Sequence, residues 1–432
     1  MNILVTGASG FVGSQIVTDL LNEGHEVTCC VRNLDYTRKL FPNTKILLAD
    51  FTQDTSTSDW LPRLQGIDVV INTVGIFYHP NKQIIWKTHF EVPSALFTAC
   101  TQSKVKKIIQ ISALGVDKYT MDYAKSKLAA DEYLLKLSIP CIILRPSLIY
   151  GHGSYGGTSL FRGLSGLPFF IPLPNKGEQC LQPIYLPDLS CGIRKLISIP
   201  NQESMVFNAV CENPISLYDI LKTLRQWLAL PTAMRLPLPQ AVISFIGFFG
   251  NFMPNSVINS YSNAMLMQNN TSSKEETEKF INAINFTPRN FGDGIFSQPS
   301  TVQDRWHARL YFVKPLLQYS LAFLWIFTAI CSLWLYPQEA SYRLLHEVGI
   351  PSFMQPIFLY GASLLDFMIG IALLIHFQIK KVCVLQFFII LLYTLIISYK
   401  LPAFWLHPFG PITKNLPLLV SIYILYILDT NR

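Results

Sequence analysis

Charge is scarce in this 432-residue chain: 14% of its residues are Asp, Glu, Lys or Arg, against 50% hydrophobic. A soluble domain carries about a quarter charged residues, so the shortage excludes a disordered chain, a coiled coil and a wholly water-soluble enzyme. The shortage is uneven. From Leu316 to Arg432 there are ten charged side chains in 117 residues, and the other 51 lie in the first 315. No Lys/Arg-rich block accompanies the net charge of +7, which argues against a nucleic-acid stripe and assigns the excess to loops beside anionic lipid. The nine cysteines include no C-x-x-C and no histidine at zinc spacing, so no metal is expected. Cys29 and Cys30 adjoin in an apolar run and should face opposite sides of a strand as reduced core residues. No basic segment precedes the first apolar run, so an export signal is not expected.

What is present divides in two. Over residues 1–150, short β-branched runs (Ile3 to Thr6, Glu26 to Val31, Lys45 to Ala49, Asp68 to Asn72, Lys107 to Ser112, Cys141 to Leu144) alternate with helix-period stretches near Gly13 to Glu23, Lys87 to Ser103 and Tyr123 to Leu137. Strands separated by helices predict an α/β fold, a doubly wound parallel sheet. A looser Gly- and Pro-rich stretch over 151–300 predicts a small substrate lobe, and 301–315 a basic linker. Beyond it, 316–336, 353–379, 382–399 and 412–428 predict an all-α module of about four transmembrane helices. Arg305, Arg309, Lys314, Lys380, Lys381 and Arg432 fall on one side of that topology, and Arg343, Lys400 and Lys414 on the other. The positive-inside rule then places both termini and the first domain in the cytoplasm of a multi-pass membrane protein, with a bacterial inner membrane as its setting.

Thr6-Gly7-Ala8-Ser9-Gly10-Phe11-Val12-Gly13 follows the first strand and opens a helix. Glycines there allow a tight turn whose bare amides approach a pyrophosphate at a helix N-terminus. Arg32 stands 19 residues past Gly13, where an NAD enzyme places an acid for the ribose hydroxyls. A guanidinium at that point suits a 2′-phosphate, so NADP is expected ahead of NAD. Asp50, after the third strand, is placed for the adenine amine. Asn72, Val74 and Gly75 end the fourth strand with small groups beside the cofactor.

Ser112 closes the fifth strand, and Tyr123 and Lys127 share a helix face four residues apart. A phenol beside an ammonium has its pKa lowered and can move a proton near neutrality. These motifs resemble the short-chain dehydrogenase/reductase superfamily in its extended or atypical branch, which is like NAD-dependent epimerases and dehydratases. The turn Leu144-Arg145-Pro146-Ser147 and the run Pro183 to Asp188 extend the resemblance over roughly the first 300 residues. The resemblance implies Tyr123 as acid/base, Lys127 as its partner and a ribose ligand, Ser112 as a substrate-orienting hydroxyl, and Arg145 on the substrate side. Two features depart from the usual pattern: only ten residues separate Ser112 from Tyr123, and Thr88-His89-Phe90 stands where an asparagine is customary. The short gap and the run Ser112-Ala113-Leu114-Gly115 look more like relatives of the accessory NAD(P)-binding subunit of respiratory complex I.

The membrane part is similar to DoxX-like four-helix modules, through Leu324-Trp325, Tyr336-Pro337 and Leu359 to Asp366. That resemblance points to quinone, and the two halves together lead to the expectation of a hydrophobic carbonyl, alcohol, quinone or lipid-like molecule as substrate. Asp366 within a span is costly unless it faces the bundle interior or serves a site. Two further apolar stretches stand out: a loop over Gly163 to Pro172, expected to rest on lipid or on the membrane module, and Ala241 to Met253, which suits a core or interfacial helix.

Overall fold

The computed structural model describes residues 1–154, 157–200, 203–251 and 259–429. The chain divides into two compact units, Met1–Ala308 and Arg309–Arg432.

In the first unit seven strands form one parallel sheet: β1 (Asn2–Thr6), β2 (Glu26–Val31), β3 (Lys45–Leu48), β4 (Val69–Asn72), β5 (Lys107–Ile111), β6 (Cys141–Leu144) and β7 (Met205–Phe207), in the order β7-β6-β5-β4-β1-β2-β3. Val, Ile, Leu and Cys fill the central strands because both faces are covered, as parallel sheets require. Cys29 packs into the core on one face and Cys30 into the core on the other, as their alternation demands. The β7 strand was not expected from sequence; three residues give too short a period to read. Strand order reverses between β1 and β4, and ligands of open α/β sheets bind at such a switch point, outside the carboxyl ends of the strands.

The small lobe is built around Tyr150, Phe161, Ile220, Leu221 and Trp227. The Gly163–Pro172 stretch is not the loop its composition suggests. Its start belongs to a helix, Gly157–Ser165, and its end to a strand, Phe170–Pro174, which pairs in parallel with Met234–Leu238. The stretch expected as a basic linker likewise carries a helix, Val302–Leu310.

The second unit is wholly helical. Three of its helices are long and apolar enough to cross a membrane: the run closing at Leu335, Gln355–Leu374, and Ile379–Lys400. The stretch 353–379 is not one continuous span: the helix stops at Leu374, and His376 and Gln378 turn the chain with positive φ. The fourth apolar helix, Asn415–Leu428, has 14 residues. It rises about 21 Å at 1.5 Å per residue, short of a hydrocarbon core of about 30 Å. Ile412 is buried but lies outside that helix. Leu321, Trp325, Ile369, Ile390, Ile422 and Leu425 form the core.

Candidate functional site

The turn after β1 is fixed by backbone. Gly7 has φ +66° and its N–H donates to Cys30 O at 3.0 Å; Gly10 N–H closes the turn on Gly7 O at 2.9 Å. A Cβ at Gly13 would lie 2.2 Å from Gly7 O, so only glycine lets the helix Phe11–Asn22 start this close to the strand. Gly10 caps that helix without a side-chain bond. Backbone N–H groups in the first turn of a helix, at the positive end of its dipole, are a receptor for an anion. Ala8 is buried beneath the turn, and Ser9, Gly10, Phe11 and Val12 are half-buried around it.

Under the turn lies a polar ladder across three strands. Thr6 Oγ1 donates to Asn72 Oδ1 at 2.5 Å, and Asn72 Nδ2 donates to Gln110 Oε1 at 2.7 Å. Thr73 Oγ1 donates to Thr6 O at 2.7 Å. Asn72, expected beside the cofactor, is buried and bonded through both its amide oxygen and its amide nitrogen, and it supports the turn above it. Val74 packs its side chain toward Gly7. Asp50 Oδ1 accepts from Thr52 N and Thr52 Oγ1 at 2.8 and 2.7 Å, so that oxygen closes its own turn, in keeping with an Asx-turn. Arg32 is exposed directly after β2.

Gly75, His89, Tyr123 and Lys127 meet at the carboxyl end of β4. A Cβ on Gly75 would lie 3.4 Å from Lys127 Nζ and 3.6 Å from His89 Nε2. His89 enters from a π-turn, Lys87–Glu91, set between the helical segments Lys82–Trp86 and Val92–Thr101. Such a bulge re-aims one residue of an otherwise regular helix. Ile76 N–H donates to His89 Nε2 at 3.1 Å. The proton must then sit on Nδ1, which faces Ser126 Oγ at 3.0 Å, and Ser126 Oγ donates to Tyr123 O at 3.1 Å. Burial and the Lys127 ammonium hold the imidazole well below its usual pKa, hence neutral. Lys127 Nζ donates to Ile111 O at 3.1 Å, and burial pulls its pKa down to about 8.

Tyr123 corrects the sequence reading. The Lys127 ammonium lies 5.8 Å from the centroid of its ring, and Phe77 and His89 pack against that ring at 5.1 and 5.4 Å. Burial pushes the phenol above its ordinary range, the opposite of the expected depression. Ser112 is also corrected. Its hydroxyl donates to Asp131 Oδ2 at 2.8 Å, the oxygen that Arg145 Nε and Nη2 reach at 3.0 Å. Ser112 and Arg145 thus converge on a buried carboxylate instead of facing a substrate. Asp131 Oδ1 is buried without a partner. Asp131 lies four residues past Lys127 and eight past Tyr123, a helical spacing that could have revealed it; the π-turn that aims His89 leaves no such mark.

In the second unit Asp366 is buried, with Oδ1 unpartnered. Elsewhere in the unit polar groups join the helices, and His376 meets Gln318 Nε2 at 3.1 Å and Tyr319 Oη at 3.2 Å. Gln318 Nε2 donates to Leu373 O at 2.6 Å, and Trp325 Nε1 donates to Gln386 Oε1 at 2.7 Å.

An amide-lined glycine turn at the switch point of a seven-stranded parallel sheet defines an NAD(P)-binding Rossmann unit. Residues 7–160 match the NAD(P)H-binding family, and residues 322–423 match the DoxX-like family. The protein therefore joins an NAD(P)-binding Rossmann domain to a C-terminal DoxX-like domain. The chain is 34% identical over 139 residues to the photosystem II assembly factor Ycf39 of Cyanophora paradoxa, covering 32% of this chain and 42% of that protein. It is 25% identical over 252 residues to the mitochondrial NADH dehydrogenase (ubiquinone) 1 alpha subcomplex subunit 9 of Mus musculus, covering 56% of this chain and 65% of that one. It thus spans less than two thirds of either relative. In fold it is similar to the UDP-glucuronic acid 4-epimerase of Bacillus cereus solved with UDP-glucuronic acid and NAD. The TM-score is 0.54 at 19% identity, over 72% of this chain and all of that one.

Proposed function

We propose that the Rossmann unit binds NADP(H) and reduces a hydrophobic carbonyl, quinone or lipid-like molecule of the membrane that holds the chain. The convergence of Tyr123, Lys127 and His89 on Gly75, beside a helix N-terminus with no side-chain cap, carries this reading. The first-turn amides fit a diphosphate, and exposed Arg32 at the end of β2 fits a 2′-phosphate. When bound, the nicotinamide supplies the hydride. Tyr123 would hold its phenolic proton at the carbonyl oxygen of the substrate and give it up there, and the Lys127 ammonium beside its ring would support that transfer. A phenol with a raised pKa stays protonated, which suits donation and hence reduction. Ser112 and Arg145 are positioning residues, acting through Asp131 on the helix that carries Tyr123 and Lys127. The Rossmann unit and both termini lie on the cytoplasmic side.

A second reading is supported by the Ser112 hydroxyl being engaged with Asp131 and by the relatives, one an assembly factor and one a subunit of a respiratory complex. In it, the nucleotide stabilises a membrane-bound assembly or structural module and is not consumed. The Tyr123→Phe variant of the full chain in nanodiscs separates the two. Reduction predicts that NADPH oxidation by long-chain aldehydes or decyl-quinones falls by about 100-fold or more while NADPH affinity is kept. The second reading predicts no oxidation by either form and unchanged affinity.

A further inference from the structure

In the first unit large apolar side chains stand exposed at the start of one strand pair and along the helix that follows it. Phe169 is 73% exposed and Met234 75%. The two are neighbours, because Met234 pairs with Phe170 across the strands Phe170–Pro174 and Met234–Leu238 and Met234 N–H donates to Phe169 O at 3.0 Å. Two residues after the second strand begins the helix Gln240–Gly250, which has no charged residue. It packs inward through Ile243, Gly247 and Gly250 and turns Phe245, Phe248 and Phe249 outward, at 64%, 55% and 54% exposure. A helix of 11 residues is too short to span a bilayer, but one apolar face at the surface suits burial in the headgroup and acyl boundary.

The presentation is rigid. Buried Arg225 donates from Nη1 to Leu167 O at 2.6 Å and from Nη2 to Pro168 O at 3.1 Å, fixing the backbone just before Phe169. Asn263 Nδ2 donates to Ile243 O at 2.7 Å and clamps the aromatic helix from its buried side. Structure is being used to hold large apolar groups out in solvent.

Two observations say what covers them. The first unit ends at Ala308, whose carbonyl would lie 2.6 Å from a Cβ on Gly166, three residues before Phe169. Only residues 309–312 separate Ala308 from Val313, where the first long apolar helix starts. The chain thus runs on toward its apolar helices from a point packed on Gly166. Second, Tyr78 Oη donates to Asn251 O at 3.1 Å, directly after the aromatic helix, while its neighbour Phe77 packs on Tyr123. The aromatic helix therefore ends beside the segment that walls the Tyr123 cleft.

We propose that Phe169, Met234 and the outer face of Gln240–Gly250 dip into the interfacial layer of the bilayer that the C-terminal helices occupy, and that the cleft beside Tyr123 takes its substrate from that layer. The inference deepens the functional reading, and its docking step rests only on residues 313–428 being membrane-embedded.

Photo-crosslinking tests it in the full chain. A benzoyl-phenylalanine is placed at Phe169, Phe245 or, as reference, at Leu48, which is 55% exposed on the edge strand β3, and the protein is held in phosphatidylcholine/phosphatidylglycerol nanodiscs. Illumination should give on the order of tenfold more phospholipid adduct at positions 169 and 245 than at 48. Adduct at the level of position 48 overturns the proposal, and so does crosslinking to protein in place of lipid. NADPH binding is measured on the same samples, so that failure of docking is distinguishable from failure of the nucleotide site.

Discussion

The two units treat buried polar groups differently. In the Rossmann unit such groups gather at the carboxyl ends of β1, β4 and β5 into connected networks: Thr6–Asn72–Gln110 below the glycine turn, and Ile76–His89–Ser126–Tyr123 beside it. In the DoxX-like unit they tie helices and turns together: Gln318 Nε2 reaches Leu373 O and His376 Nδ1, His376 Nε2 meets Tyr319 Oη, and Trp325 Nε1 donates to Gln386 Oε1. A connected network fixes several side chains relative to one another, as a reacting site requires. Polar groups that bridge neighbouring helices fix the packing of those helices. The difference is one of place: the first unit's networks converge on the glycine turn and Gly75, whereas the second unit's link its helices, and among the described residues Asp366 Oδ1 is buried there without a partner.

The largest expected effect comes from Gly13→Val. Its branched side chain would meet Gly7 O, so NADPH binding should vanish in a calorimetric titration and stability should drop by about 3 kcal/mol. Retained binding would break the assignment of chemistry to the glycine turn. Next comes Asp131→Ala, which strands Ser112 and Arg145 together. A loss of about 3 kcal/mol is expected in denaturant unfolding, against about 1 kcal/mol for Asp131→Asn, which keeps an acceptor.

Acidification gives a third comparison. The folded-state pKa of His89 is held below 6.5 by burial and Lys127, so the unfolded chain binds that proton more readily. Its contribution is complete above pH 6.5 and is lost as pH falls below it. Melting temperature should therefore decline between pH 6.5 and 5, and His89→Gln should flatten the decline. An equal slope in both proteins would remove His89 from the network.

Smaller effects belong to the membrane unit. Gln386→Leu leaves the Trp325 indole N–H unpaired and should cost about 1 kcal/mol in detergent unfolding. Asp366→Asn should change stability by less than about 1 kcal/mol, because its Oδ1 has no partner to lose. A larger loss would give the second unit a polar site of its own.

Much of the first unit was legible from residue pattern. Glu26–Val31 and Cys141–Leu144 are read with the ends they have in the structure, since buried parallel strands appear as uninterrupted apolar runs. The glycine turn was legible because its geometry admits few other residues. The direction of side chains was not. Ser112 and Tyr123 stand where the motif puts them, yet the serine faces Asp131 and burial raises the pKa of the phenol. Those outcomes depend on burial and on partners distant in sequence, which spacing does not encode. In the second unit, hydropathy marks apolar stretches well but misses the break near His376, where two positive-φ residues turn the chain inside an apolar run.

The central claim is that the full chain, held in a bilayer, binds a pyridine nucleotide through Gly7, Gly10 and Gly13 and selects NADP(H) through Arg32. Equilibrium titration of the nanodisc-embedded protein with NADPH and NADH, followed by nicotinamide fluorescence, tests it directly. Saturable binding that favours NADPH, with the preference lost in Arg32→Glu, is the predicted result. Failure of the intact protein to bind either nucleotide would contradict it.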